Sequence, residues 1–294
     1  MTSFLRLLSA ALVFVPVPSA SAQAPAHGML LVAHGGGPAW NKQVLDLVAA
    51  VRFAGPVRVS FLMGPGASER PFQREVAALR AAGVTRVAVV PLFMSSHSEH
   101  FDQLRYLVGL RDSLDAMMLH HLHMGGIERP ADRTGLTLLS ALDSAPELAD
   151  ALAERAVALV PDRAQRALLV LGHGPNGAED YARWMAALRP VAERVRQRAG
   201  YRLAAVELVR DDASPMVRAE AVARVREIVR WLNQVTGAPV AVVPALVATG
   251  AVSQVTLKRD LEGLPVVYAG DAVLPNLGMA RWVERVAAGA LAAP

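Results

Sequence analysis

The chain has no cysteine among its 294 residues. This excludes a disulfide framework, thiolate metal sites and thiol nucleophiles, so any metal ion must be held by His, Asp or Glu. Lysine is nearly missing as well: only Lys42 and Lys258 occur, and the rest of the basic excess behind the net charge of +4 is arginine. The arginines are not clustered and aromatic residues make up only 5% of the chain. Nucleic acid is therefore not an expected partner.

Long apolar runs are missing beyond the N-terminus. No later segment approaches the roughly 20 consecutive apolar residues of a membrane helix, so stable membrane insertion is not expected. Residues 1–22 combine Arg6, a short apolar core and the small residues Ala20, Ser21 and Ala22. This layout is typical of a secretory signal peptide, the alternative being an apolar terminus of a cytosolic protein. We predict cleavage after Ala22 and a periplasmic or secreted protein.

The remaining chain repeats one pattern of strands and helices. Residues 29–52 and 167–196 each contain an apolar run, then His-Gly, a turn and an amphipathic helix, and residues 86–97 resemble residues 239–250. The strands are continuous apolar runs, which is typical of parallel sheets covered on both faces. Strands that alternate with helices predict an α/β fold of two similar lobes, each a parallel sheet flanked by helices.

We place the boundary between the lobes in the polar segment 160–165. The predicted organisation is a signal peptide over 1–22, an N-terminal lobe over 23–163 and a C-terminal lobe over 164–294. Sheets of three or four strands bury little surface alone, so the lobes are expected to pack face to face. Ligands of such sheets bind outside the carboxyl ends of the strands.

Three histidines are predicted to lie at this edge of the first sheet. His34 directly follows the first strand, and His97 and His100 follow the strand that ends near Pro91. Ser96 and a glutamate three residues later form a capping-box pattern, which predicts a helix from His97. Imidazoles brought together there could ligate a metal ion and accept protons, and protonation should stop both below about pH 6.

Other polar residues have a weaker claim to function. His173 repeats the position of His34, but its lobe has no second histidine, so we interpret it as a relic, a turn-stabilising residue or a substrate contact. Glu69 follows the second strand and could supply a carboxylate, whereas Asp211 or Asp212 is expected to cap a helix. The cluster 120–123 contains three histidines, His120, His121 and His123, and is either a metal site or a polar patch on an edge strand or loop.

The His-Gly after the first strand, the segment "AALRAAGVTRVAVVPLF" and the histidine beyond it resemble the class II sirohydrochlorin chelatases, which insert cobalt or nickel into a tetrapyrrole. The resemblance implies that His34 and either His97 or His100 bind the metal and accept protons, and that Glu69 is the acid of the site. The chain has "SSHSEH" where the family has a glycine-containing loop. A signal peptide is also unusual for that family.

The resemblance implies a lyase that inserts a divalent ion (Co²⁺, with Ni²⁺ or Fe²⁺ as alternatives) into a sirohydrochlorin-type tetrapyrrole. The partners are then an acidic tetrapyrrole and the metal ion, which is a substrate, so no fixed cofactor is expected. Arginines suit the carboxylates of such a ring. The alternative is a non-catalytic exported protein that binds metal or tetrapyrrole and keeps the chelatase fold.

Overall fold

The computed structural model describes residues 27–292. The predicted signal peptide lies outside these residues. The elements of the N-terminal lobe are β1 His27–Ala33, α1 Pro38–Ala50, β2 Val57–Phe61, α2 Pro65–Glu69, α3 Phe72–Ala81, β3 Arg86–Leu92, α4 Glu99–Val108, α5 Ala116–Met124, β4 Leu136–Leu138 and α6 Pro146–Leu159. Those of the C-terminal lobe are β5 Ala167–Gly172, α7 Ala178–Ala199, β6 Leu203–Leu208, α8 Pro215–Thr236, β7 Val240–Ala245, α9 Leu257–Asp260, β8 Val266–Val267 and α10 Leu277–Ala292.

Each lobe contains a four-stranded parallel sheet with the same strand order. The orders are β2-β1-β3-β4 and β6-β5-β7-β8, and every pairing is parallel. The central strands are buried along almost their whole length, as their continuous apolar sequence requires. The predicted fold class and internal repeat are therefore confirmed.

The pairing register places the ends of three strands at one edge. Ala33 at the end of β1 pairs with Phe61 of β2 and with Leu92 of β3. The residue that follows each strand therefore emerges at the same edge of the sheet. Residues 34 and 93–100 meet there, as the sequence predicts.

The two lobes share one large core because each lobe donates a helix to the other. The last helix of the N-terminal lobe, α6, packs against α7 and β7, whereas α10 packs against α1 and β3. The resulting core joins Met29 and Leu31 of one sheet with Val170 of the other and includes Trp282 of α10. Two smaller cores cover the outer faces of the sheets. The lobes therefore form a single packed unit.

The boundary predicted at residue 163 lies in the short connection between α6 and β5. That position stays a prediction. The helix α6 precedes it in the sequence but packs on the sheet of the C-terminal lobe, so sequence order and packing assign α6 to different lobes. Between residues 27 and 292, no helix combines the length and apolar character needed to cross a bilayer.

Candidate active site

The position of His34 is fixed by the turn that ends β1. Its carbonyl accepts hydrogen bonds from the backbone N–H groups of Leu62 (3.1 Å) and Met63 (2.8 Å), which tie the turn to the end of β2. Gly35 has φ +93°, and a Cβ there would lie 2.2 Å from the Met63 carbonyl oxygen. Only glycine is compatible with this approach. The His-Gly pair is thus a structural requirement for presenting the imidazole.

The turn also determines which nitrogen of His34 is available. Its Nδ1 lies 2.7 Å from the Gly35 carbonyl oxygen. Because a carbonyl oxygen only accepts hydrogen bonds, Nδ1 must carry the proton. The lone pair is then on Nε2, which is a common ligand atom for metal ions.

His100 lies in the first turn of α4 and contacts His34. The two ring centroids are 4.4 Å apart and the planes are nearly perpendicular, at 84°. The cap of α4 is Ser98, whose hydroxyl accepts from the Phe101 N–H. The predicted helix start at His97 is therefore two residues too early. Of the two histidines His97 and His100, it is His100 whose ring contacts that of His34.

The buried side chain of Gln103 selects the tautomer of His100. Its Nε2 donates to the Met118 carbonyl oxygen (3.0 Å), so its Oε1 faces His100 Nδ1 at 2.9 Å. That oxygen can only accept, which requires a proton on Nδ1 and leaves the lone pair on Nε2. His34 and His100 thus form a pair of imidazoles with the same tautomer.

Both imidazoles of this pair are uncharged at neutral pH. Removal from water lowers the pKa of His34 below its usual 6.5. The same effect, together with the neighbouring His34, lowers the pKa of His100 to about 3. Two neutral rings with free Nε2 atoms are suited to ligating a cation.

The C-terminal lobe contributes His173, which follows β5 as His34 follows β1. Its Nδ1 makes a short contact with Asp211, and its Nε2 lies 3.2 Å from Asp212 Oδ2. Burial lowers its pKa, but the hydrogen bonds to the two carboxylates outweigh this effect and raise the pKa to about 10. His173 is therefore an imidazolium held between two aspartates.

His173 lies close enough to the imidazole pair to influence it electrostatically. Its positive charge lowers the pKa of His34 and His100, while Asp212 raises both. The interpretation of His173 as a relic does not fit this position. The prediction that Asp211 or Asp212 caps a helix is wrong, because both bind His173 and α8 has no side-chain cap.

One hydrogen bond joins the N-terminal lobe to the loop that follows His173, and Arg210 braces that loop from within its own lobe. Glu99 of α4 accepts from the backbone N–H of Asn176, three residues after His173 (3.0 Å). Arg210, which has a positive φ of 52° and is 8% exposed, donates to the carbonyl oxygens of Pro175 and Asn176. The candidate active site is therefore built from both lobes.

The other two predicted site residues, His97 and Glu69, have different contacts. The backbone N–H of His97 donates to Ser95 Oγ (3.1 Å), and within residues 27–292 no ring contact joins it to His34 or His100. Glu69 ends α2 and is exposed, and its carbonyl oxygen accepts from Arg74. The structure instead brings Asp211 and Asp212 near the imidazoles. No sequence pattern points to these two aspartates, because only the folded structure brings them to His173.

The cluster 120–123 belongs to the helix α5, so its prediction as a polar patch on an edge strand or loop is wrong. The rings of His120 and His121 are tilted by 48° with centroids 6.4 Å apart. In the described part of the chain, no group of three or more His, Asp or Glu side chains is arranged to hold a metal ion.

Comparison with known proteins identifies relatives by family and by fold. Residues 28–159 match the CbiX family model. SirB from Bacillus subtilis with Fe³⁺ has a TM-score of 0.62 at 17% identity, with 92% of this chain and 98% of that chain covered. The sirohydrochlorin chelatase SirB from Bacillus subtilis subspecies spizizenii in complex with cobalt has a TM-score of 0.57 at 15% identity, with 89% and 94% covered.

A third solved structure is that of CbiX, described as the terminal enzyme for siroheme biosynthesis in denitrifying bacteria. Its TM-score is 0.50 at 19% identity, and 91% of this chain and 99% of that chain are covered. No curated protein sequence matches the chain. At these identities the solved structures establish a common fold, over both lobes.

Proposed function

We propose, from the match of residues 28–159 to the CbiX family model, that this chain belongs to that family and inserts a divalent metal ion into a sirohydrochlorin-type tetrapyrrole. The metal ion is Co²⁺, with Ni²⁺ and Fe²⁺ as alternatives, and it is a substrate. The observation that carries the proposal is the contact between the neutral imidazoles of His34 and His100. Solved relatives of the same fold are described with iron or with cobalt.

The site suits an ion that must be bound and then released. Two Nε2 atoms hold a borderline divalent cation with moderate strength, and a cysteine cage would hold it too tightly. Insertion replaces two pyrrole N–H protons by the metal ion, so two protons must leave the ring. When the ion moves to the pyrrole nitrogens, the Nε2 lone pairs of both imidazoles become free, and each can accept one of these protons and pass it to water.

The assignment of individual residues follows from the positions described above. We propose His34 and His100 as the metal ligands and proton acceptors. His97 stays the alternative second histidine, since it lies three residues before His100, just ahead of the Ser98 cap of α4. Glu69 remains the proposed acid that the family resemblance implies, and its exposed position makes it the residue most in need of a test.

The experiment measures insertion directly. Purified protein is incubated anaerobically with sirohydrochlorin and Co²⁺, and the change of the visible spectrum is followed at pH 7. Losing a general base costs about 10²–10⁴ in rate, so His34→Ala and His100→Ala should each lose at least that much. His97→Ala and Glu69→Gln are measured in parallel. The matched control is His27→Ala, because His27 begins β1 at the opposite edge of the sheet.

Two results would contradict the proposal. If the parent protein inserts metal no faster than free solution, it is not a chelatase. If His27→Ala loses as much activity as His34→Ala, the losses reflect folding and not the site. Retained activity in His100→Ala together with loss in His97→Ala would reassign the second ligand.

A carrier is the second candidate function, and the signal-like residues 1–22 favour it. A protein that binds Co²⁺ and sirohydrochlorin through the same residues without catalysing insertion would fit it. We also propose that the chain is exported and processed after Ala22. Mass spectrometry of protein from its native host should find an N-terminus at Gln23, and recovery of intact Met1 from the cytoplasm would contradict export.

A further inference from the structure

The helix α5 has an unusual surface for a soluble protein. Its sequence, "AMMLHHLHM", contains no Lys, Arg, Asp or Glu. Leu122 is buried against the N-terminal lobe, whereas Met117 and Met124 are 65% and 75% exposed. Asp115 caps the helix by accepting from the Met118 N–H (2.9 Å). The helix therefore presents two thioethers to solvent where charged side chains are usual.

The exposed methionines share one side of the helix with two histidines. At 100° per residue, the positions of Met117, His120, His121 and Met124 fall within an arc of about 100°. Leu122 points to the opposite side, in agreement with its burial. We call these four residues the Met–His face. His123 and Met118 lie outside this arc.

The chemistry of the Met–His face differs from that of the candidate active site. Thioether sulfur is a soft ligand that selects Cu⁺, and imidazole also binds copper, whereas hard cations prefer oxygen ligands. The helix itself offers no carboxylate that would attract a hard cation. Three of the four side chains of the face are exposed, so a cation can reach them without a rearrangement of the core.

We propose that the Met–His face binds a soft monovalent cation, Cu⁺, through the thioethers of Met117 and Met124 and the imidazoles of His120 and His121. This site is separate from the metal substrate of the proposed function and does not depend on it. The two sites are connected by one side chain, since Gln103 donates to the Met118 carbonyl oxygen of α5 and accepts from His100.

The test uses the full-length His34→Ala/His100→Ala protein, in which the candidate active site has lost its ligands. Cu⁺ is titrated anaerobically in competition with a chromogenic Cu⁺ chelator, and Ag⁺ serves as a redox-inert probe in calorimetry. We expect one equivalent of either ion to bind. Two double variants remove the proposed ligands: Met117→Leu/Met124→Leu and His120→Gln/His121→Gln. Mutating a residue that only contacts a metal ligand lowers metal affinity roughly 10–100-fold, so each double variant should lower the affinity for Cu⁺ by more than that.

The matched control is Met118→Leu/His123→Gln, which removes the same residue types from the same helix outside the face. It should bind Cu⁺ and Ag⁺ as the background protein does, and circular dichroism checks that each variant is folded. Three results would overturn the proposal. These are no Cu⁺ or Ag⁺ binding by the background protein, an equal loss in the control, or a loss confined to the histidine pair.

Discussion

Replacing Gln103 by leucine should weaken metal binding at His100 without touching either imidazole. The change removes the acceptor of the Nδ1 proton at 2.9 Å, so nothing holds the tautomer that keeps Nε2 free. Loss of such an outer partner typically costs about 10–100-fold in metal affinity, or about 1.4–2.7 kcal/mol. We expect Gln103→Leu to raise the Kd for Co²⁺ by this factor at pH 7, measured by calorimetry or by the visible absorption of bound Co²⁺.

The same substitution should also destabilise the fold. Gln103 is 1% exposed, and its Nε2 satisfies the Met118 carbonyl oxygen. A buried polar group left without a partner costs about 1–3 kcal/mol. Gln103→Glu separates the two effects. Its carboxylate still accepts from His100 but cannot donate to Met118, so it should lose stability and keep most of the metal affinity.

The proposed role of Gln103 is refuted if Gln103→Leu binds Co²⁺ as tightly as the parent, or if Gln103→Glu loses as much affinity as Gln103→Leu. Two-bond ¹H–¹⁵N couplings report the tautomer of His100 in the metal-free protein, and a proton found on Nε2 would also refute it. Gln43→Leu is the control, since that amide joins the lobes through Thr249 instead of contacting the pair.

Three further predictions concern pH, the interface and the shared core. Because the pKa of His100 is lowered to about 3 and that of His34 is also lowered, Co²⁺ affinity should fall between pH 7 and 5.5 by less than the roughly tenfold that an imidazole of pKa 6.5 would lose. A midpoint near 6.5 in calorimetric titrations would contradict this. Glu99→Ala should speed hydrogen exchange of the Asn176 amide about 10–100-fold, since a charge-assisted hydrogen bond contributes about 1.5–3 kcal/mol. Glu99→Gln keeps an uncharged acceptor and should speed it less; equal rates in all three proteins would contradict the contact. Trp282→Ala should lower the free energy of unfolding, measured in urea, by about 3–5 kcal/mol. Trp231→Ala is the control because Trp231 is exposed, and equal losses in the two variants would contradict the shared core.

The sequence is sufficient to predict the sheets and the location of the site. Apolar strands in alternation with helices determine the fold class, and the end of β1 at Ala33 brings His34 to the carboxyl edge. The glycine after His34 could be recognised as a turn residue. Its close approach to Met63 is visible only once β2 is placed beside β1. The local sequence pattern is thus enough to predict the strands and the turn that position the candidate site.

What the sequence could not predict depends on contacts between distant residues. The capping pattern at Ser96 is misleading because its hydroxyl donates to Asp143, 47 residues away, which leaves Ser98 as the cap. The partners of His173 were missed for a similar reason. Asp211 and Asp212 reach it from a turn in which Arg210 adopts a positive φ, a conformation that a non-glycine residue rarely takes.

The sequence predicted that the imidazoles would be protonated below about pH 6. The structure changes this prediction, because the burial of a side chain depends on the whole fold. An imidazole in water titrates near pH 6.5, and the sequence alone offered no reason to depart from that value. In the structure, the same residue type has a lowered pKa at His100 and a raised pKa at His173. The difference is due to Asp211 and Asp212, whose carboxylates are hydrogen-bonded to the His173 ring and not to the His100 ring.

The exchange of α6 and α10 between the lobes has a consequence for folding during translation. The inner face of the first sheet is covered by residues 277–292, which are synthesised after all the strands of the second sheet. That face therefore remains without its covering helix until the strands of the second lobe have been translated. A gene divided near residue 163 would yield two fragments that each expose an apolar face, and we expect the fragments to be insoluble apart and to complement each other when co-expressed.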